Sequence, residues 1–246
     1  MKKISLTFMV IALSTVACQK SSITPSSATQ QVEATWSTTA QYGSYSTNGY
    51  TFNNDIWGSG AGPQTLWVNS SSNWGVWSNQ PNTGGVKSYP NCAKYIGKAI
   101  GSLNSCTSSF NVTIPGSGSY EATYDIWDSN NSHEIMLWMS YRGSVNPIAA
   151  SYNSSGQPVA TATNVTVGGH TWNVYKGSNG SNAVYSFVRT SNTTSGTVDV
   201  RAILLWIESQ GWFGNVTLGN VEFGYEITSS SGGLNFTTNS YSVSSN

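Results

Sequence analysis

Alternating apolar and polar residues form short runs along most of the chain, and turn residues separate these runs. A period of two predicts β-strands that have one buried and one exposed face. The strands predicted in this way are residues 64–69, 110–114, 120–127, 134–141, 164–167, 171–175, 183–189 and 216–227. Many short strands in close succession are typical of a two-sheet sandwich or jelly roll.

One segment, residues 197–209, departs from this alternation because its apolar residues recur at helical spacing. Those apolar residues are Val200, Ile203, Leu204 and Ile207. Asp199 lies near the start of the segment and Gly211 just past its end, where they favour a helix cap and a helix stop. We therefore predict an all-β fold, a two-sheet antiparallel jelly-roll sandwich on which one short α-helix packs.

The N-terminus has the residue order of an export signal, with Lys2 and Lys3 before an apolar run over residues 4–17. Cys18 follows Thr-Val-Ala, which is the position of the acylated cysteine in a bacterial lipoprotein. Cleavage after Ala17 without lipidation fits the same residues. Both interpretations place the protein outside the cytoplasm, either secreted or as a lipoprotein of the cell surface or outer membrane.

The residues after this signal divide into a polar segment and a longer region with the strand pattern. The polar segment is rich in Ser, Thr and Gln, a composition typical of a flexible tether. The longer region has a suitable length for one domain with a substantial core. We predict a signal peptide over residues 1–18, a tether over residues 19–34 and one domain over residues 35–246.

The composition is poor in charge and rich in aromatic residues. Only 8% of the residues are charged and the formal net charge is zero, which excludes the basic surface of a nucleic-acid-binding protein. A membrane partner is expected only through a lipid anchor at Cys18. The ten Trp and thirteen Tyr, set among polar neighbours, suit flat and uncharged ligands.

Cys92 and Cys106 form an isolated pair once Cys18 is assigned to the signal region. An exported protein meets an oxidising environment, so we predict a disulfide between them. It would close a loop of about 15 residues and stabilise the fold by roughly 3 kcal/mol. The alternative is two buried free thiols.

Several common catalytic motifs are missing from the sequence, among them the phosphate loop, His-Glu-X-X-His and Gly-X-Ser-X-Gly. The only histidines are His133 and His170, which we interpret as structural or surface residues because neither has an evident catalytic partner in the sequence. No set of metal ligands is apparent. We therefore expect neither a metal nor another cofactor.

Carboxylates are scarce, so those within predicted strands are informative. Strand periodicity places Glu134, Met136 and Trp138 on one face of a strand, and Asp125 and Trp127 on one face of the preceding strand. The link between these strands is short enough for a hairpin. In that register we expect Asp125 directly opposite Glu134.

Glu134 and Glu226 are far apart in the sequence but could meet across a cleft. A retaining glycosidase uses two carboxyl groups about 5 to 5.5 Å apart, one as nucleophile and one as proton donor. The alternative is that both residues are solvated side chains on the outer face of a sandwich. Strand pattern alone does not separate these two interpretations.

Several motifs, spread over nearly the whole mature chain, resemble those of glycoside hydrolase family 12, the small jelly-roll endoglucanases and xyloglucanases. The matching segments are residues 53–58, 86–91, 124–127, 134–138, 147–148, 169–172, 185–188 and 223–226. These segments, together with the helix that begins near Asp199, occur in the same order as in the family. Among them are Val-Lys-Ser-Tyr-Pro-Asn at residues 86–91, Glu-Ile-Met-Leu-Trp at residues 134–138 and Phe-Gly-Tyr-Glu at residues 223–226. The resemblance implies a concave substrate cleft on the sandwich.

The resemblance also implies roles for three carboxyl groups. Glu134 corresponds to the nucleophile and Glu226 to the general acid/base. Asp125 corresponds to a residue that holds the nucleophile by a hydrogen bond. Glu222 shares the strand phase of Glu226, but the family position favours Glu226.

Sugar contacts follow from the same resemblance. Asn54 and Trp57 would bind sugars on the non-reducing side of the cut, with Trp57 stacked on a pyranose ring, and Met136 would line the sugar site. A further set of aromatic residues fits either a sugar contact or an ordinary core or rim position: Trp77, Tyr89 and Trp138. After Glu226 the chain departs from the family, because Ile-Thr-Ser-Ser replaces the Pro-Phe-X-Gly of many relatives.

We therefore expect an endo-acting, retaining hydrolase of β-1,4-linked glucan, either cellulose-type or mixed-linkage. One alternative is a xyloglucan-specific endo-β-1,4-glucanase of the same family. Another is a non-catalytic, lectin-like sandwich that binds glycans. The expected partner is a β-glucan polysaccharide, and we expect the protein to be a monomer.

Overall fold

The computed structural model describes residues 34–246, so the predicted signal, Cys18 and nearly all of the predicted tether lie outside the described residues. The described chain folds into strands with the short alternating pattern that the sequence predicts. In chain order the strands are β1 Trp36–Thr38, β2 Ser44–Thr47, β3 Tyr50–Asn53, β4 Gln64–Val68, β5 Trp74–Ser78, β6 Asn91–Ala99, β7 Cys106–Thr113, β8 Ser119–Asp128, β9 His133–Arg142, β10 Ala162–Val167, β11 His170–Ser178, β12 Ala183–Arg189, β13 Ser195–Asp199, β14 Thr217–Ser229 and β15 Leu234–Ser245.

These strands form two sheets, as the sequence predicts for a sandwich. One sheet has six strands in the order β1-β4-β5-β15-β7-β13, and the other has nine in the order β10-β11-β12-β9-β8-β14-β6-β3-β2. One pair differs from the predicted antiparallel arrangement, because β12 runs parallel to β9. The first and last strands of the antiparallel meander β10-β11-β12 point in the same direction, and the last one, β12, joins β9.

Strand β14 shows how the larger sheet divides its two faces. Val221, Phe223, Tyr225 and Ile227 are completely buried in the core between the sheets. The aromatic ring of Phe223 lies 4.9 Å from that of Tyr124, centroid to centroid. Side chains alternate along a strand, so the intervening residues of β14 face away from the core. This second face is where the cleft lies.

The single α-helix of the described residues, α1, spans Val200–Ser209 and confirms the predicted helix. It begins three residues later than predicted because residues 197–199 complete β13. The Asp199 side chain caps the helix by accepting a hydrogen bond from the Ala202 backbone N–H at 3.0 Å. Within residues 34–246, no helix is both long and apolar enough to cross a membrane.

The predicted disulfide is wrong, because Cys92 and Cys106 are both free and buried. Cys92 belongs to the nine-stranded sheet and Cys106 to the six-stranded sheet. Burial is the main cause that raises the pKa of both thiols. The second cause differs, because the charge of Glu222 acts on Cys92 and the charge of Asp199 acts on Cys106. The alternative of two buried thiols is the one that the structure contains.

Candidate active site

A cavity of about 540 Å³ opens on the outer face of the nine-stranded sheet. Residues of β8, β9 and β14 form its floor, and the loops at residues 55–57, 85–89 and 144–148 form its walls. Of the described residues that line the cavity, four carry a carboxyl on the floor and none is Lys, Arg or His. The four are Glu121, Asp125, Glu134 and Glu226.

Glu134 lies near the start of β9, opposite Trp127 of β8, and faces the cavity. Asn179, in the turn between β11 and β12, donates a hydrogen bond from Nδ2 to Glu134 Oε2 at 3.0 Å. Burial raises the Glu134 pKa to about 7, and the hydrogen bond from Asn179 opposes that rise. Glu134 is therefore oriented by a neutral donor and needs little energy to gain or lose a proton near neutral pH.

Asp125 is displaced from the register that the sequence predicts. It lies opposite Met136, two residues further along β9, and so is diagonal to Glu134. The cause is the loop between β8 and β9, in which the Asp128 carboxylate accepts hydrogen bonds from the backbone N–H groups of Ser132 and His133 at 2.7 and 2.8 Å. This carboxylate anchors the four-residue loop that joins β8 to β9.

The charge state of Asp125 follows from its surroundings. Its Oδ1 atom is buried without a hydrogen-bond partner among the described residues. Burial raises the Asp125 pKa well above its usual value, and the negative charge of Glu134 adds to the rise. A neutral Asp125 next to Glu134 avoids the repulsion that two buried carboxylates would experience.

Glu226 faces the same cavity from β14 and is partly exposed to it. Burial raises its pKa to about 7, and the charge of Glu134 is the next cause. Two such carboxyl groups share protons, and the loss of a proton from one hinders its loss from the other. Glu134 and Glu226 can thus supply one carboxylate and one carboxylic acid in the same cavity.

Glu222 is on the same face of β14 as Glu226 but lies opposite Asp125. Burial raises its pKa to about 7, followed by the charge of Asp55. Glu226, and not Glu222, is among the described residues that line the cavity. The position of the cavity therefore favours Glu226 for chemistry.

Four of the predicted sugar-binding residues line this cavity: Trp57, Tyr89, Met136 and Trp138. Trp57 is 51% exposed at the rim, so its ring is free to stack on a ligand. The other three are buried in the floor and wall. Tyr89 is held in place because its hydroxyl donates to the Thr123 carbonyl oxygen at 3.3 Å.

The structure separates Asn54 and Trp77 from the cavity, and both predictions were wrong. Asn54 is fully buried, donates from Nδ2 to the Ala40 carbonyl oxygen at 2.9 Å and accepts from Gln64 Nε2 at 3.0 Å. Its amide is therefore occupied within the protein. Trp77 lies on β5 of the six-stranded sheet, whereas the cavity is on the other sheet.

Two functional candidates were missed by the sequence interpretation. Glu121 follows the same period of two on β8 as Asp125, so its phase was a usable signal. Asn179 lies in a turn, where neither periodicity nor charge distinguishes it from other asparagines of this Asn-rich chain.

Comparison with known proteins agrees with this fold and cavity. The sequence matches the model of glycosyl hydrolase family 12 over residues 48–246. The chain therefore belongs to that family.

The relatives include fungal and bacterial proteins. A probable xyloglucan-specific endo-β-1,4-glucanase A of Aspergillus terreus is 35% identical over 221 residues, which cover 83% of this chain and 85% of the relative. Among solved structures, the xyloglucanase domain of NopAA, a type three effector from Sinorhizobium fredii in complex with cellobiose, is 50% identical, with a TM-score of 0.85. That match covers 87% of this chain and all of the other. The family 12 xyloglucanase of Bacillus licheniformis is 26% identical, with a TM-score of 0.73 over 86% of this chain and 100% of the other.

Proposed function

We propose that this protein is an endo-acting, retaining β-1,4-glucan hydrolase with Glu134 as nucleophile and Glu226 as general acid/base. The observation that carries the proposal is the pair of glutamates in one cavity, each with its pKa raised to about 7. A retaining glycosidase needs one carboxylate and one carboxylic acid at the same pH. Membership of glycosyl hydrolase family 12 supports the same chemistry.

The reaction proceeds by two displacements at the anomeric carbon. The Glu134 carboxylate attacks that carbon while Glu226 transfers its proton to the glycosidic oxygen, so the bond to the leaving sugar breaks. Glu226, now a carboxylate, then takes a proton from a water molecule that attacks the same carbon and releases Glu134. Each displacement inverts the configuration, and the product retains that of the substrate.

Neighbouring groups adjust the charge of the nucleophile in this scheme. Asn179 orients the Glu134 carboxylate and favours its charged form, because a hydrogen bond to a carboxylate stabilises the negative charge. Asp125 supports Glu134 by remaining neutral beside it. Trp57 supplies a ring for stacking at the rim, and Tyr89, Met136 and Trp138 shape the sugar site.

We infer that xyloglucan is the preferred substrate, in place of the unbranched glucans that the sequence motifs favour. The named relatives at 35% and 50% identity are xyloglucan enzymes. Thr228 lines the cavity two residues after Glu226, where the Pro-Phe-X-Gly of many relatives has Phe. The smaller side chain leaves more room beside the acid/base for a branched chain.

The substrate proposal is tested by initial rates on xyloglucan, barley mixed-linkage glucan and carboxymethylcellulose at equal mass concentration. We expect the highest kcat/KM on xyloglucan. Replacing Thr228 with Phe should lower the rate on xyloglucan more than the rate on mixed-linkage glucan. Equal or higher activity of the wild-type protein on carboxymethylcellulose would contradict the preference.

The catalytic proposal is tested by Glu134→Gln, which should abolish turnover of soluble β-glucan while oligosaccharide binding remains measurable by calorimetry. Glu222→Gln is the matched control, because it removes a neighbouring carboxyl that does not line the cavity. Proton NMR of the first product gives a separate check. A β-configured product agrees with retention, and an α-configured product would rule it out.

We also propose that the enzyme acts outside the cytoplasm, where a polysaccharide too large to cross a membrane is accessible. The N-terminal residues 1–18 would direct export, and Cys18 would carry a lipid. Labelling cells with an alkyne fatty acid should modify the wild-type protein and leave the Cys18→Ser variant unmodified. Absence of label on the wild-type protein would favour simple secretion.

A further inference from the structure

Among the four carboxyl groups on the floor of the cavity, Glu121 has no role in the reaction as described above. It lies on β8 directly opposite Glu226 on β14. The Cβ atoms of directly opposed residues in antiparallel strands are about 4.5 to 5.5 Å apart, so the two side chains are within reach of each other. Glu121 is 2% exposed, whereas Glu226 is partly exposed to the cavity.

The surroundings of Glu121 oppose a negative charge. Its Oε2 atom is buried and has no hydrogen-bond partner among the described residues. The described lining of the cavity contains no Lys, Arg or His that could compensate a second carboxylate. Burial raises the Glu121 pKa well above its usual value, and the charge of Glu226 raises it further. Of the two opposed residues, Glu121 is therefore the one that keeps its proton, and a protonated carboxyl has an O–H to donate.

We propose that Glu121 is a positioning residue for the acid/base: it stays neutral and donates a hydrogen bond from its carboxyl O–H to the carboxylate of Glu226. This inference rests on the proposed function, because it assigns a partner to Glu226 in the same reaction. Glu121 need not touch the sugar to have this effect.

The hydrogen bond matters most after the first displacement. Glu226 has then given its proton to the glycosidic oxygen and is a carboxylate in a cavity where none of the described lining residues is a cation. The Glu121 O–H stabilises that charge and fixes the carboxylate for its next step, in which Glu226 takes a proton from water. The Glu121 proton stays on Glu121 throughout, so the proton balance of the reaction is unchanged.

Other titratable groups also lie on this side of the sheet. They are Asp55, Tyr89, Asp125, Glu134, Tyr141 and Glu222. All of them are acids, so each can only become more negative as the pH rises. None of them lies opposite Glu226 in the strand register as Glu121 does. A Glu121 variant therefore changes the immediate partner of Glu226 and leaves the other groups in place.

Two variants separate the neutral donor from other roles. Glu121→Gln keeps the shape and an N–H donor, while Glu121→Met keeps the length and removes the donor. On xyloglucan we expect Glu121→Gln to keep kcat within about 3-fold of the wild type and Glu121→Met to lose about 10-fold in kcat, with a smaller loss in kcat/KM. Equal losses in the two variants, or no loss in Glu121→Met, would overturn the proposal.

The pH profile of kcat/KM should shift in a direction that a merely structural role of Glu121 would not produce. The basic limb of kcat/KM reports the loss of the Glu226 proton in the free enzyme. A donor to the Glu226 carboxylate lowers the Glu226 pKa, so Glu121→Met should move that limb upward by about one unit, and Glu121→Gln should leave it in place. If Glu121 were instead a carboxylate, both variants would move the limb downward, and that result would overturn the proposal.

A double-mutant cycle shows whether Glu121 acts through Glu226. In a Glu226→Gln background, Glu121→Met should lower the residual rate by less than about 2-fold, because its partner has already been removed. A further 10-fold loss would show an independent effect on folding or substrate binding and would overturn the proposal. Failure of the proposed function itself is recognisable, because Glu134→Gln or Glu226→Gln would then remain active.

Discussion

The two faces of β14 differ in what they contribute to the protein. Phe223 and Tyr225 on the inner face are completely buried, and the ring of Phe223 contacts those of Tyr124 and Phe110. Glu222 and Glu226 on the outer face are held in surroundings that raise the pKa of each to about 7. One face stabilises the fold, and the other keeps carboxyl groups protonated at pH values at which they would be ionised in water. Neighbouring residues of a single strand thus belong alternately to the core and to the reactive site.

Glu226→Gln should give the largest effect, because it removes a reactive group of the outer face and leaves the packing of the inner face unchanged. We expect kcat/KM on xyloglucan to fall by about 10²- to 10⁴-fold, since the variant lacks the proton donor and base. The free energy of unfolding should stay the same or rise, because a partly buried carboxyl near other carboxyls is removed. A clear loss of stability in urea unfolding would contradict this separation of the faces.

Phe223→Ala should have the opposite result. Removal of a fully buried ring should lower the free energy of unfolding by about 3–5 kcal/mol, measured by urea denaturation. At a temperature where the variant is folded, kcat should remain within about 3-fold of the wild type. A stable variant that has lost its activity would show that the core face also controls the chemistry.

The carboxyl groups on the outer face should make stability depend on pH. Burial raises the pKa of Glu134, Glu222 and Glu226 in the folded protein to about 7 from 4.5, so the folded state binds more protons than the unfolded state between these values. The contribution of these groups to the free energy of unfolding is therefore largest below about pH 4.5, and it is lost as the pH rises toward 7. We expect a fall on the order of 1 kcal/mol per group between pH 5 and pH 8.

Thermal unfolding across this pH range measures that dependence. Glu222→Gln should flatten the curve without loss of activity at the optimum. A wild-type stability that rises steadily from pH 5 to pH 8 would mean that the carboxyl groups are stabilised as carboxylates.

Asn179→Ala should have the smallest effect and sharpen the account of Glu134. Loss of the hydrogen bond at 3.0 Å should raise the Glu134 pKa, so the acidic limb of kcat/KM moves to higher pH, and kcat should fall by about 10-fold. Asn182→Ala is the matched control in the same turn, because Asn182 donates to the Asn131 carbonyl oxygen instead. An acidic limb that moves equally in both variants would assign the effect to the turn rather than to the hydrogen bond.

The sequence predicts those parts of the molecule that depend on local periodicity. The common face of Glu134, Met136 and Trp138 follows from a period of two, and all three line the cavity. The helical spacing of the apolar residues in α1 likewise predicts the helix and its cap at Asp199. Such features need only residues that are close together in the chain.

Features that depend on register or on long-range contacts are not predicted as well. The Asp128 carboxylate anchors the β8-β9 loop in a register that places Asp125 opposite Met136, two residues from Glu134, and periodicity does not reveal this register. The side-chain amide of Asn54 is engaged in buried hydrogen bonds within the protein, and Trp77 belongs to the other sheet. In both cases the residue type fits a sugar contact, and only the tertiary fold shows that the position does not.

The nucleophile is tested most directly by trapping the covalent intermediate. A 2-deoxy-2-fluoro glycoside with a good leaving group slows the second displacement more than the first, so the glycosyl-enzyme accumulates and can be digested and mapped by mass spectrometry. We predict one added glycosyl group per protein, attached to Glu134, and no such adduct in Glu134→Gln. An adduct on Glu222, Asp125 or Glu226, or turnover without any adduct, would contradict the assignment.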